Sequence, residues 1–87
     1  MDSIEITILK NLIHNDEYSR KVLPFINKEY FEEFHEKIIF EEICTFIVKY
    51  NTLPTKETLT IESEKRTDIT EDVFSKIRDC IGLLEDS

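Results

Sequence analysis

The chain reads as an all-helical domain, on two observations. The stretch His35 to Tyr50, HEKIIFEEICTFIVKY, repeats its apolar residues at a spacing of about 3.6 over about four turns. Turn chemistry is scarce: a single glycine (Gly82) and two prolines (Pro24, Pro54) serve 87 residues, too few for an all-β domain. With 40% hydrophobic residues, six Phe and three Tyr, the chain has material for one core. A domain of this size buries only roughly 60% of its unfolded surface, so modest stability is expected.

The central stretch organises the remainder. Ile39, Phe40, Ile43, Cys44, Phe46, Ile47 and Tyr50 gather on one side of a helix, and Glu36, Lys37, Glu41, Glu42, Thr45 and Lys49 mostly on the other. Such a broad apolar face calls for neighbours on several sides. Ile38 and Val48 project from the polar side; the pattern predicts them half-exposed, as a second contact surface or as additional core.

The flanking elements follow in order. Ile4-Glu5-Ile6-Thr7-Ile8 alternates like a strand, but Leu9, Leu12 and Ile13 restore the helical period, with Ser3 as N-cap and Glu5 in the first turn. His14-Asn15 is expected to end this helix, with Asn15 in the left-handed position. Asp16 is expected to cap a second helix carrying Tyr18, Val22 and Ile26 on one face. Pro24 stops or kinks it near Leu23. Asn27 caps a short turn that sets Tyr30 and Phe31 before the central helix. Beyond it, Asn51 is a cap and Thr52-Leu53-Pro54 an extended link. Thr55 starts a short helix with Leu59 in the core and Ile61 off its face. Glu62 to Asp68 reads as a loop or frayed end. Thr70, with Glu71 and Asp72 at the positive end of the dipole, starts a last helix that buries Val73, Phe74, Ile77, Cys80, Ile81 and Leu84. Gly82, costly in a helix interior, is expected where another chain approaches closely.

Charge and composition exclude several classes. A net charge of −8, with basic residues scattered, argues against direct nucleic-acid binding, which needs Lys and Arg against phosphates. The acids are too dispersed for a mimic of DNA charge. Cys44 and Cys80 read as small buried hydrophobes in a reducing compartment, a disulfide between their helices being the other option. The N-terminus, MDSIEIT, is acidic where a secretion signal is basic, and no apolar run is long enough to span a membrane. A soluble, intracellular protein is expected.

A search for chemistry finds no site. One glycine cannot supply a phosphate-binding loop, and no nucleophile–base pair stands out. Glu32 and His35 have the E-x-x-H spacing of di-metal bundles, but without a second copy, so His35 reads as a helix-start histidine bonded to a neighbouring carbonyl or acid. The central helix is too apolar and acidic for a DNA groove. No catalytic, cofactor-binding or metal-binding residue is assigned. A protein-interaction module remains, with Ile38, Val48, Tyr30 and Phe31 as candidate contacts.

The order of these residues resembles a known family. Asp16 to Leu23, then Asn27-Lys28-Glu29-Tyr30-Phe31, then His35-Glu36-Lys37-Ile38-Ile39-Phe40, is similar to the N-terminal domain of DnaB-type replicative helicases. Thr52-Leu53-Pro54-Thr55 and Thr58-Leu59 look like the family's next segment. Tyr18 to Phe25 and Glu29 to Glu32 resemble the versions in large tailed phages. The resemblance covers residues 8 to 86, through core and turn residues rather than catalytic signatures. It implies a compact orthogonal bundle of about five or six helices, one head domain spanning residues 1–87. In the family such heads form the collar of a ring hexamer and face primase or a helicase loader. The dimerising helical hairpin and the ATPase domain, with its ATP and Mg, follow later and are expected to be absent from this piece. The head is then expected to be non-catalytic, cytoplasmic in a phage-infected host, and monomeric or weakly dimeric alone. The alternative is a free-standing acidic adaptor that binds a host protein. An enzymatic role ranks third.

Candidate contacts on this reading are Ile38, Glu41 and Val48 on the central helix and Lys76 and Leu83 on the last. Ile38→Glu is accordingly expected to leave the fold intact. Phe40 faces the core, and Phe40→Ala is predicted to cost on the order of 3–5 kcal/mol, enough to unfold so small a domain. A cooperative melt within a few degrees of wild type would contradict the helix assignment.

Overall fold

The computed structural model describes residues 3–85. Met1 and Asp2, used in the reading of the N-terminus, and Asp86, the last residue of the resemblance, lie outside the described residues, as does Ser87. Five α-helices follow one another: α1 Ile4–His14, α2 Asp16–Val22, α3 Phe34–Tyr50, α4 Lys56–Glu64 and α5 Glu71–Gly82. Two single 3-10 turns, Leu23–Phe25 and Lys28–Tyr30, link α2 to α3. There is no strand among the described residues, so the all-helical class holds. A radius of gyration of 11.9 Å matches the roughly 12 Å expected of a compact globule this long.

Side-chain caps fix most helix starts. Ser3 accepts from the Ile6 N–H at 3.1 Å, Thr55 from Thr58 at 3.1 Å and Thr70 from Val73 at 3.2 Å. Asn27 accepts from Glu29 at 2.9 Å and so closes the second 3-10 turn. Each satisfies an amide that the helix itself leaves without a partner. Asn15, not Asp16, caps α2, accepting from Tyr18 at 3.0 Å. Its own N–H closes α1 on the Asn11 carbonyl at 3.0 Å. Asn15 serves both helices because its backbone is extended (φ −133°, ψ 99°) rather than left-handed as expected. The left-handed asparagine is Asn51 (φ 53°), which ends α3. Pro24 stops α2 as expected and sits inside the first 3-10 turn, where its missing N–H costs little.

Helix α3 is the axis of the domain, packed against α1, α4 and α5. Leu9 and Leu12 of α1, Ile39 and Ile43 of α3, Leu59 of α4 and Ile77 of α5 are fully buried. Phe31, at the end of the second 3-10 turn, is buried against Phe40 with ring centroids 5.2 Å apart. Ser19, also buried, donates its hydroxyl to the Leu12 carbonyl and locks α2 onto α1.

Three assignments on α3 need correcting. Ile38 is 3% exposed and belongs to the core. Glu36, expected on the polar face, is buried. Tyr50, expected on the core face, is half exposed. One cause covers all three. The first turns of α3 are surrounded by other elements on nearly every side, while its last turns emerge into solvent. A helical wheel averages over that difference. Gly82 is the final residue of α5, and a Cβ added there would meet no atom within 4 Å. Crowding among the described residues is therefore not its reason. The polar run after Ile61 stays helical through Glu64.

The burial of Ile38 reverses the earlier expectation for its substitution. Ile38→Glu is predicted to destabilise the domain by on the order of 4 kcal/mol or more, since it places an unpaired charge in the core. Retention of native helicity by circular dichroism, with an unchanged melting midpoint, would refute the core placement.

A candidate protein-interaction surface

The residues singled out from the sequence fall in three places. Ile38 is interior, as described above. Glu41 is half-buried and engaged within the chain, 3.3 Å from the Lys28 ammonium and 3.4 Å from the Arg66 guanidinium. Val48 is 87% exposed on the solvent side of α3. Lys76 and Leu83, both exposed, line one groove, in which α5 faces His35 and Glu36 at the start of α3. Of the aromatic pair, Tyr30 is partly exposed and Phe31 buried, edge to face at 5.3 Å. Tyr30 therefore shows at the surface what Phe31 anchors.

Sequence reasoning missed Phe25, 86% exposed in the turn made by Pro24. Beside that turn lies an open groove of about 420 Å³, walled by Leu23, Pro24, Ile47 and Leu53 and edged by the Asp16–Arg20 ion pair. A large apolar side chain immediately after a proline that ends a helix was the available signal.

It also missed Arg66, which draws distant acids together. Its guanidinium makes a two-pronged contact with Asp68 at 2.7 and 2.9 Å. It also reaches Glu42 at 3.2 Å and Glu41 at 3.4 Å. The connection after α4 is thereby clamped to α3. Hydrogen bonding to Asp68 raises the Arg66 pKa and lowers that of Asp68. Glu42 behaves differently: burial raises its pKa despite Arg66, because desolvation outweighs an attraction shared among three carboxylates.

Glu36 is the third omission. As the third residue of α3 it accepts a hydrogen bond from the Glu33 backbone, the return half of a capping box whose forward half is missing, since the Glu33 side chain caps nothing. Burial raises its pKa, and the carboxylates of Glu5, Glu33 and Glu32 add to the rise. The neighbouring His35 is pushed down, first by burial. Cys44 and Cys80 are free thiols, and burial pushes Cys80 up to about 12. Glu32 and His35 join no cluster of metal-ligand character among the described residues. No helix of the described residues is long and apolar enough to cross a membrane.

The exposed chemistry is thus that of a helical bundle with apolar side chains displayed at several points and a strongly acidic surface. The chain is similar, at 32% identity over 80 residues, to a DnaB-like replicative helicase of Enterobacteria phage T4. The match takes in 92% of this chain and 17% of that protein, so the chain spans about a sixth of the length of the curated relative it matches. It supports a segment related to such a helicase. No family model matches the chain, and no solved structure does.

The position of Glu36 gives a test with a defined sign. A carboxyl whose folded pKa is raised stabilises the fold most below its unfolded value and loses that contribution as pH rises through the folded value. Glu36→Gln keeps the oxygen facing the Glu33 N–H and removes the buried charge. It is predicted to melt higher than wild type at neutral pH, with the gap closing on acidification as Glu36 itself takes up a proton. His35 contributes with the opposite sign, but equally in both proteins. Thermal melts of the pair across that range decide it: a gap that is constant or inverted would show Glu36 to be unstrained.

Proposed function

We propose that this chain is a non-catalytic protein-interaction domain of a phage-type replicative helicase, supporting assembly of the helicase ring and docking of primase or a helicase loader. The observation that carries the reading is the match to the T4 helicase across 92% of the chain. The order of short motifs from Asp16 to Leu59 agrees with it.

The surface supports a role in contacts. Val48, Phe25 and Leu83 are large apolar side chains held in water by a scaffold whose core is complete without them. Single exposed apolar residues are ordinary, so the support comes from Leu83 and Lys76 sharing one groove and from Phe25 following Pro24, which lines another. A net charge of −8 favours basic partner surfaces and speeds their encounter. In such a system the domain works through coupling free energy: head contacts bias the ring, and a docked partner biases it further.

The experiment is a binding series with the chain, itself and the primase and loader from the genome that encodes it, read by light scattering and calorimetry. Binding to at least one of these is expected. Val48→Glu or Leu83→Glu is predicted to weaken it at least tenfold, about 1.4 kcal/mol, with unchanged helicity. Failure to bind all three would end the helicase reading and leave an acidic adaptor for some other protein.

A further inference from the structure

The groove between α5 and the start of α3 sets a buried acid, not ion-paired among the described residues, beside apolar walls. It holds about 320 Å³ and is lined by Ile6, Glu36, Asp79, Cys80 and Leu83, with His35 and Lys76 completing the wall. Glu36, 7% exposed, faces into it. The side chain has a hydrogen bond with the Glu33 backbone, but no cation pairs with it among the described residues. The charges around it are mostly of its own sign. Glu5 of α1 and Glu32 and Glu33 ahead of α3 all act on Glu36, Asp79 of α5 lies in the same groove, and the Cys80 thiol is held protonated. Lys76 lines the same groove and acts on His35. Burial, helped by the Lys76 charge, outweighs the opposing pull of Glu33 and favours neutral His35, so it supplies little compensating charge.

A carboxylate buried without a counter-charge is destabilising unless a cation supplies its partner. The walls indicate which cation. Ile6 and Leu83 offer apolar surface to an aliphatic stem, and Leu83 is 55% exposed with nothing covering it. A guanidinium is more weakly hydrated than an ammonium and meets a carboxylate through two parallel hydrogen bonds. We propose that this groove docks an arginine side chain of a protein partner, the stem lying between Ile6 and Leu83 and the guanidinium meeting Glu36 and Asp79. The proposal deepens the reading of the chain as an interaction domain and rests on it only for the partner being a protein. The arginine specificity stands on the groove itself.

The test is an NMR titration of the labelled 87-residue chain with the tripeptide acetyl-Leu-Arg-Leu-amide, beside acetyl-Leu-Gln-Leu-amide, in moderate salt. The expected result is saturable shifts centred on Glu36, Asp79 and Leu83 with the arginine peptide alone. The Glu36 carboxyl titration should also move to lower pH in its presence. Glu36→Gln should weaken binding at least tenfold while the amide spectrum stays dispersed. Leu83→Ser, an exposed change that leaves Glu36 in place, should weaken it several-fold and guards against a folding artefact. Equal shifts with the glutamine peptide, wild-type affinity in Glu36→Gln, or shifts spread over the whole acidic surface would each overturn the proposal. Peptide binding without primase or loader binding would keep the groove and remove the helicase reading; the reverse would remove the groove alone.

Discussion

The first turns of α3 carry more of this domain than any other segment. From Glu36 to Ile43 the helix is enclosed on nearly all sides, with Ile38, Ile39, Phe40 and Ile43 in the core. α1, α4 and α5 have each other's company only in part; what they share is contact with α3. Burial of so much apolar surface along one segment is the main favourable contribution available to a domain this small. The connections around it are then free to be polar and irregular. Asn15, one residue serving two helices, and the two 3-10 turns before α3 are tolerable because the central packing fixes where each helix must lie.

Electrostatics divides the molecule into two unlike regions. Around Arg66, acids from α3 and from the connection after α4 converge on one cation, and the pairing ties elements far apart in sequence. Around Glu36, acids from α1 and the start of α3 converge, and no ion pair among the described residues answers the Glu36 carboxylate. The first arrangement has the form of a structural clamp: its charges are answered within the chain, and Glu41 is largely spent there. The second leaves a charge unanswered beside exposed apolar surface. Within a fold of net charge −8, this difference separates acids that are ion-paired within the fold from acids that are not.

Much of the fold was legible in the sequence because its signals are local. The capping residues Ser3, Asn27, Thr55 and Thr70 and the stop at Pro24 depend on side chains within a few residues, and each falls where the local rules place it. Phe40, Leu59 and Ile77 were legible as core because they lie in the middle of their apolar faces. Ile38 and Glu36 were not. Their burial depends on how many helices surround that part of α3, which the period of one helix does not encode. Arg66 was invisible for a related reason: its partners Glu41 and Glu42 lie 25 and 24 residues away, and only the packed structure brings them near. The surface was the least legible, since exposed Val48 and buried Ile38 look alike on a helical wheel.

The exposed tail of α3 follows from this same design. A helix of 17 residues is longer than the neighbours that cover it, so its final turns, with Val48, Lys49 and Tyr50, extend past the core. Phe46 and Tyr50 pack on one another there, centroids 4.6 Å apart, and the Lys49 ammonium sits 5.3 Å from the Tyr50 ring. These contacts order the projecting end without hiding it. Changing Val48 therefore disturbs little of the interior, whereas changing Ile38, a few turns earlier on the same helix, disturbs all of it. One helix thus serves as scaffold at its start and projects into solvent at its end: Ile47 still packs against the core, and Val48, Lys49 and Tyr50 beyond it are exposed.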